Sequence, residues 1–338
     1  VCVQSGAGRR VGFDDADYAL AGARIVESAT EVYACPMIVK VKEPQMEECA
    51  LLNEGQLLFA YLHLAAGPTL AAALIERRIV GIAYETVTDA RGTRPLLTPM
   101  SEVAGRLAIQ FGAWSLQMAN GGNGTLLSGV PGVPPARVLI LGAGVVGTHA
   151  AKAAVGAGAD VTIMDIDVTR LRYLEDVFGA RLKTCYSQPQ AIEDASARAD
   201  LVVASVLIPG KRAPKILSRS TVRAMHPGSV LVDVAIDQGG CADTSHPTTH
   251  SAPIYVEEGV VHSCVTNMPA ACARTSMLAL TNATLPYVLG LADKGYASAL
   301  REDRGLRDGL QLYFGNVTHA VAQDLGLPYI DPHQALGI

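Results

Sequence analysis

The chain has 338 residues, 49% of them hydrophobic and 17% charged, which is enough apolar material for a globular protein with core for two domains. Its net charge of −5, with no basic blocks, argues against nucleic acid or an anionic membrane as the main partner. Seven cysteines without a C-x-x-C pair fit the reduced thiols of a cytoplasmic protein, expected mostly as core fillers, rather than a disulfide framework or a metal cluster.

The chain opens on Val1 instead of Met, and Val1-Cys2-Val3 alternates towards Gly6-Ala7-Gly8 like a strand already under way, so a segment upstream is expected to be missing. The first hundred residues then repeat a strand-and-helix rhythm. Ile38 to Val41 is a short apolar strand stopped by Lys42-Glu43-Pro44, Leu57 to Leu62 a second that ends at His63, and Val80 to Tyr84 a third that ends at Glu85. Ligands of open α/β sheets bind outside the carboxyl ends of the strands, which is where Lys42 and His63 fall. The apolar run Leu57 to Ile75 is broken by His63 and Gly67-Pro68 and reads as strand, turn and helix, not as a membrane span. No signal peptide is visible.

A long helix follows, with Thr98 as N-cap, Pro99 at its first position, and Val103, Leu107, Phe111, Trp114 and Met118 as a core-facing stripe. Asn120 to Pro135, with its glycines and Pro131, Pro134 and Pro135, reads as a loop or hairpin. Next comes the most informative stretch. Val138 to Leu141 is a buried strand, Gly142, Gly144 and Gly147 have G-x-G-x-x-G spacing, Val145 to Ala157 is a helix, and Val161 to Met164 is a second strand closed by Asp165. In such a βαβ unit Gly142 permits the tight turn, Gly144 lets a pyrophosphate approach the backbone, and Gly147 allows close helix packing. The helix N-terminus offers N–H groups and a positive dipole end to phosphate. Asp165, roughly 20 residues past Gly142, stands where a carboxylate accepts from the adenosine ribose and repels a 2′-phosphate, favouring NAD over NADP.

The alternation continues through Leu201 to Ser205, Val230 to Val234 and Val260 to Val265, and a second long helical pattern begins beyond Thr275, carrying Leu278, Leu280, Leu285, Val288 and Leu289. The expected fold is α/β: two Rossmann-like domains joined by long crossing helices. Residues 1–98 with 275–338 would form the substrate domain and residues 99–274 the NAD-binding domain.

At the level of motifs the chain resembles the L-alanine dehydrogenases of the alanine dehydrogenase and transhydrogenase-domain superfamily. The resemblance runs nearly from end to end, through VKVKEPQ (Val39 to Gln45), FAYLHLAA (Phe59 to Ala66), AYET (Ala83 to Thr86), LTPMSEVAGR (Leu97 to Arg106), GVPGV (Gly129 to Val133), VDVAIDQGG (Val232 to Gly240) and ALTNATLPYV (Ala279 to Val288). It implies two α/β domains flanking a cleft, assembly as a homo-hexamer, and NAD-dependent, reversible deamination of L-alanine to pyruvate and ammonia. By the same resemblance Lys42 holds the substrate's oxygen atoms, His63 is the general acid/base, and Asp237 is a second active-site group near the nicotinamide. Cofactor contacts would fall on Ser101, Val145, Val146, Asp165, Arg170, Ser187, Val206, Leu207, Asn267 and Met268. Gly142, Gly144 and Gly147 of the turn, together with Val234, Asp237 and Val265, complete that set.

The chemistry explains these residue types. Hydride loss from Cα leaves an iminium ion that water attacks, and an imidazole, which titrates near neutral pH, suits the proton transfers. A lysine supplies fixed positive charge to a carboxylate or developing alkoxide, and an aspartate offsets charge on the iminium. Taken singly, His63 between Leu62 and Leu64 reads as a core histidine, Lys42 as a surface charge, and Asp237 as a turn residue before Gly239-Gly240. Their shared position at strand ends, with the resemblance, reverses that. His149, His226, His246, His250, His262, His319 and His333 are expected to be structural. Members of the superfamily also carry, in a front segment absent here, an arginine that grips the substrate carboxylate. Its loss is expected to weaken alanine use and leave a sheet edge exposed. Arg9-Arg10 and Ala271 to Arg274 depart from the superfamily pattern, and His246 stands where some relatives have Arg. The competing reading is a non-catalytic NAD(H)-binding module like a transhydrogenase domain.

Overall fold

Short apolar runs alternating with helical stretches decide the architecture. In the computed structural model, which describes residues 1–206, 212–319 and 325–338, the chain divides into two units, Val1–Pro99 with Ala273–Ile338 and, between them in sequence, Met100–Cys272.

In the first unit β1 (Cys2–Gln4) and β2 (Arg24–Val26) pair in parallel, with α1 (Asp15–Leu20) between them in the chain and α2 (Ala29–Tyr33) after them. α2 begins where it does because Ser28 Oγ accepts the Glu31 N–H and Glu31 in turn accepts the Ser28 N–H, a capping box. β3 (Met37–Val39), α3 (Met46–Cys49), β4 (Leu57–Ala60), α4 (Pro68–Glu76) and β5 (Val80–Ala83) follow, and the three strands pair in parallel. Every residue of β4 and β5 is buried, as expected of central parallel strands covered on both faces.

α5 (Thr98–Ser115) leads into the second unit, where β6 (Arg137–Leu141), α6 (Val145–Gly156), β7 (Asp160–Asp165), α7 (Val168–Phe178), β8 (Leu182–Tyr186), α8 (Pro189–Ser196), β9 (Leu201–Ala204), α9 (Arg219–Arg223), β10 (Val230–Asp233), β11 (Ile254–Glu257) and β12 (Val260–Ser263) succeed one another. The sheet order is β11-β12-β10-β9-β6-β7-β8, parallel except for β11. Along β6 the side chains alternate between two cores: Val138 and Ile140 pack with Val103, Leu107 and Ala150, while Leu139 and Leu141 pack with Ile192, Val222 and Leu231. Helices thus cover both faces, and each fully buried aliphatic side chain is worth about 1.5–3 kcal/mol.

The chain then returns to the first unit. α10 (Ala273–Glu302) is two helical segments meeting at Gly295, whose φ of 70° and ψ of 154° interrupt the helix, and α11 (Arg304–Asp308) follows. β13 (Leu310–Tyr313) and β14 (Asn316–Val317) complete a five-stranded sheet of order β14-β13-β5-β4-β3, and α12 (Pro332–Leu336) lies near the chain end.

Four details differ from what the sequence pattern suggests. The α5 stripe stops being core after Phe111: Trp114 is 40% exposed, and Met118 lies beyond the helix at 79% exposure. The helical period extends there through apolar residues that no layer covers. Thr98 is already inside α5, its hydroxyl donating to the Arg94 carbonyl at 2.9 Å instead of capping an N–H. β11 has an antiparallel partner in β12 that the sequence pattern did not suggest. Of the seven cysteines only Cys49, Cys241 and Cys264 are buried, so core filling does not account for the rest. Among the described residues no helix is long and apolar enough to cross a membrane.

Candidate functional site

In the second unit the chain runs from β6 outward to β8, returns, and runs from β9 outward to β12, so the topological switch point lies between β6 and β9. Gly142 follows β6, Asp165 ends β7, Ser187 follows β8, and Val206, Val234 and Val265 come just after β9, β10 and β12. Six residues scattered over the sequence thereby share one sheet edge. Val145, Val146 and Gly147 form the first turn of α6, Ser101 sits in the first turns of α5, Arg170 in the first turn of α7, and Asn267 and the buried Met268 follow Val265. Leu207 lies outside the described residues.

The glycine turn is built for close approach. Gly142 has φ of 102°, a region that favours glycine, and a Cβ on Gly147 would overlap the Gly142 carbonyl oxygen. Around Gly144 nothing lies within 4 Å of where a Cβ would stand, and as N-cap of the 12-residue α6 it places no side chain over the helix end. Free N–H groups and an open approach fit a dinucleotide's diphosphate. Asp165 braces this turn: one oxygen accepts the Ala143 N–H at 2.5 Å and the other the Asp167 N–H at 2.8 Å, which leaves the carboxylate further lone pairs for hydroxyl donors. Arg170 packs onto the same loop, donating to the Ala143 carbonyl at 3.1 and 3.0 Å and to Thr148 Oγ1 at 3.2 Å. Those bonds hold its guanidinium against protein atoms.

Asp237 lies in a 3₁₀ turn (Val234–Gln238) ended by Gly239 at φ of 97°. It is exposed, and both of its oxygens accept the Asn267 N–H at 3.3 Å, so the predicted Asp237 and Asn267 do meet. Beneath it is a residue that sequence reasoning passed over. Asp233, fully buried at the end of β10, accepts from Cys241 N–H (2.6 Å), Ser245 Oγ (2.6 Å), Ala242 N–H and Ala235 N–H, closing the loop that carries Asp237. Burial pushes its carboxyl up, against the pull of those donors and of Lys215.

The first unit gathers a second cluster, also at strand ends. Lys42 and Glu43 lie past β3, His63 past β4, and Glu85 past β5. His63 Nδ1 and Glu43 Oε2 are 3.1 Å apart, with His63's side chain 38% exposed. His63 has φ of 47° and ψ of 38°, a left-handed conformation rare outside glycine. Glu85 accounts for it: its carboxylate accepts the His63 N–H at 2.7 Å and the Leu62 N–H at 3.2 and 3.3 Å. Tyr61 stacks on the imidazole at 5.7 Å and is itself fixed by donating to the Leu96 carbonyl at 2.6 Å.

Burial would raise the Glu43 carboxyl, but the His63 hydrogen bond, a backbone N–H and the Lys42 charge together hold it down at about 2. An ionised Glu43 can only accept, so Nδ1 of His63 is the donor in this bond and Nε2 is left for other partners. Sequence reasoning placed Lys42 and His63 at strand ends but gave Glu43, Glu85 and Tyr61 no role. The available signal was an acidic residue at the end of the neighbouring strand.

Two family patterns match: residues 1–104 fit the alanine dehydrogenase/PNT N-terminal domain and residues 108–320 the alanine dehydrogenase/PNT C-terminal domain. An alanine dehydrogenase of Halomonas elongata is 52% identical over 339 residues, covering 100% of this chain and 91% of the relative. One from Bacillus subtilis is 53% identical over 338 residues, covering 99% of this chain and 89% of the relative. A solved L-alanine dehydrogenase superposes with a TM-score of 0.92 at 51% identity, covering 96% of this chain and 90% of that one.

Proposed function

This chain belongs to the alanine dehydrogenase/PNT family, and on that premise we propose that it is an NAD-dependent L-alanine dehydrogenase, converting L-alanine and water to pyruvate and ammonia. The observation that carries the reading is the His63–Glu43 pair, in which an ionised carboxylate fixes the tautomer of an imidazole held at a strand end. NAD bound at the Gly142–Gly147 turn supplies the hydride acceptor. In this proposal the Met100–Cys272 unit binds nucleotide and the other unit binds the amino acid.

Every remaining step belongs to side chains. Lys42 holds the substrate carboxylate by charge. His63 Nε2 takes a proton from the water that attacks the iminium carbon, and Glu43 stabilises the imidazolium so formed. The same nitrogen returns the proton to the amine, then takes the hydroxyl proton as the C–N bond breaks and the carbonyl forms, and passes it to the released ammonia, so the imidazole ends neutral. Asp237 orients the amine or water and offsets the iminium charge. Glu85 is a positioning residue that holds the backbone of His63 where Nε2 is available. The nucleotide contacts proposed are Ser101, Gly142, Gly144, Val145, Val146, Gly147, Asp165, Arg170, Ser187, Val206, Leu207, Val234, Asp237, Val265, Asn267 and Met268. Asp165 supports the preference for NAD, since its carboxylate would repel a 2′-phosphate. A cytoplasmic homo-oligomer, the hexamer implied by the resemblance, completes the proposal, and sedimentation of the purified chain tests the assembly.

The deciding assay follows nicotinamide absorbance with L-alanine and either nucleotide. Turnover with NAD and little with NADP is expected, and Asp165→Ser should narrow the difference. Tight NADH binding without turnover of alanine would transfer the chain to the non-catalytic nucleotide-binding reading.

A further inference from the structure

Beyond β12 a second segment runs alongside the chain. Thr248, which lies between the Asp237 turn and β11 in sequence, pairs in parallel with Val265. Its N–H donates to the Cys264 carbonyl at 2.9 Å, and its carbonyl accepts the Thr266 N–H at 3.1 Å. The same segment is anchored at its start, where the His246 N–H donates to Tyr255 Oη at 3.0 Å and that hydroxyl donates to the Thr244 carbonyl at 2.8 Å. Its following turn is closed by Thr249 Oγ1, which accepts the Ala252 N–H at 3.2 Å. His250 stands on this turn, and its Nε2 lies 3.2 Å from the Asn267 carbonyl oxygen. A carbonyl oxygen only accepts, so Nε2 is the donor.

Asn267 has φ of 49°, a left-handed conformation that asparagine visits more readily than most residues with a Cβ but that local bonds must select. Both of its backbone groups are held. The N–H donates to the two Asp237 oxygens at 3.3 Å, and the carbonyl accepts the Ala270 N–H at 3.0 Å as well as the imidazole. The Ala270 bond belongs to the 3₁₀ turn Met268–Cys272, whereas the imidazole bond comes from a separate segment. The N–H lies in the peptide plane before Asn267 and the carbonyl in the plane after it. Fixing both planes fixes φ and ψ, and with them the direction of the Asn267 Cα–Cβ bond.

We propose that His250 is a positioning residue for the nucleotide site: by holding the Asn267 carbonyl it sets the backbone that presents Asn267 and meets Asp237. This role rests on the nucleotide contacts proposed for Asp237 and Asn267. Removing the imidazole leaves the Asp237 and Ala270 bonds and the Thr248 ladder in place, so the fold should persist while Asn267 loses one of its constraints. One hydrogen bond of this kind corresponds to about a three- to ten-fold effect on an equilibrium or a rate.

The test compares the full chain with His250→Leu, which fills similar space but cannot donate, and His250→Gln, whose amide can still donate to the carbonyl. NADH affinity by calorimetric titration, turnover, half-saturation by NAD and by alanine, and the thermal midpoint are measured on each. His250→Leu should weaken NADH binding and lower turnover by about three- to ten-fold, with alanine half-saturation and thermal midpoint at wild-type values, and His250→Gln should recover most of the loss. A His250→Leu protein that binds NADH and turns over as wild type does would overturn the role of His250 while leaving the dehydrogenase reading intact. So would a joint loss of thermal midpoint and NADH affinity that His250→Gln does not repair, because His250 would then be a structural residue only. Wild type that binds NADH without using alanine would sink the dehydrogenase reading instead, and the NADH affinities of the three proteins would decide the role of His250 alone.

Discussion

At the Gly142–Gly147 turn the groups offered to a ligand are backbone N–H donors, and the side chains nearby, Asp165 and Arg170, hold the loop by bonding its backbone. At the His63 turn the group proposed to react is a side chain, and two carboxylates hold it: Glu85 by its backbone, Glu43 by its ring. The nucleotide edge works by leaving space where a Cβ would intrude. The His63 cluster works by filling space with charge, and it keeps a non-glycine residue in a left-handed conformation that would otherwise cost on the order of 1–3 kcal/mol. A mutation that adds atoms should therefore hurt the first site, and one that removes charge the second.

The largest expected effect is at the second. His63→Ala should lower turnover by roughly 10²–10⁴-fold, the usual worth of a positioned acid/base, while NADH affinity stays at its wild-type value. Calorimetric titration with NADH beside the turnover assay separates the two. Joint loss of nucleotide binding and thermal stability would mean that His63 is a core histidine and nothing more.

Gly147→Ala is the matching lesion at the first site. The added methyl would overlap the Gly142 carbonyl, so the turn must shift, at a cost of about 1–3 kcal/mol. Reduced NADH affinity and a lower thermal midpoint are expected. An unchanged midpoint and affinity would show that the close packing of α6 on the turn is not needed.

This contrast also explains how much is legible in the sequence. A site made by backbone geometry writes itself as glycine spacing, so Gly142, Gly144, Gly147 and Asp165 stand out from their intervals alone. Strand ends carry the same kind of information, because apolar runs stop there, and Lys42 and His63 are legible on that ground. Glu43 and Glu85 stand at strand ends too, but their parts are not legible, since what matters is a hydrogen bond across neighbouring strands about 20 residues apart in sequence. Asp233 escapes for a related reason: four donors converge on it only after the 234–245 loop has folded back. The mismatch at Trp114 and Met118 has the opposite origin, an apolar helical period that outlasts the layer it packs on.

A middle-sized effect should come from Glu85→Gln. The amide oxygen can still accept from both N–H groups, but an NH2 replaces the oxygen 3.3 Å from the Leu62 N–H and sets donor against donor, at a cost of about 1–3 kcal/mol. As a positioning residue, Glu85 should change turnover more than the concentration of alanine needed for half-saturation, and Glu85→Asp should recover part of the loss. Equal activity in all three proteins would leave the left-handed His63 without its proposed brace.

The smallest effect separates the two carboxylates by acid. Glu43 is held at about 2 in the folded chain, below its ordinary value of 4.5, so above pH 4.5 its ionised form contributes fully to stability. As pH falls from about 4.5 towards 2, the unfolded chain takes up a proton before the folded one does, and that contribution is lost. Glu43→Gln has no such proton to gain. Wild type should therefore be the more stable protein at neutral pH, and the difference in unfolding free energy should shrink on acidification below about pH 4.5. Urea midpoints at a series of pH values from 7 down to the acid limit of the native state measure this directly. A difference that stays constant or widens in acid would mean that His63 and Lys42 do not hold Glu43 in its ionised form, and the tautomer assigned to His63 would fall with it.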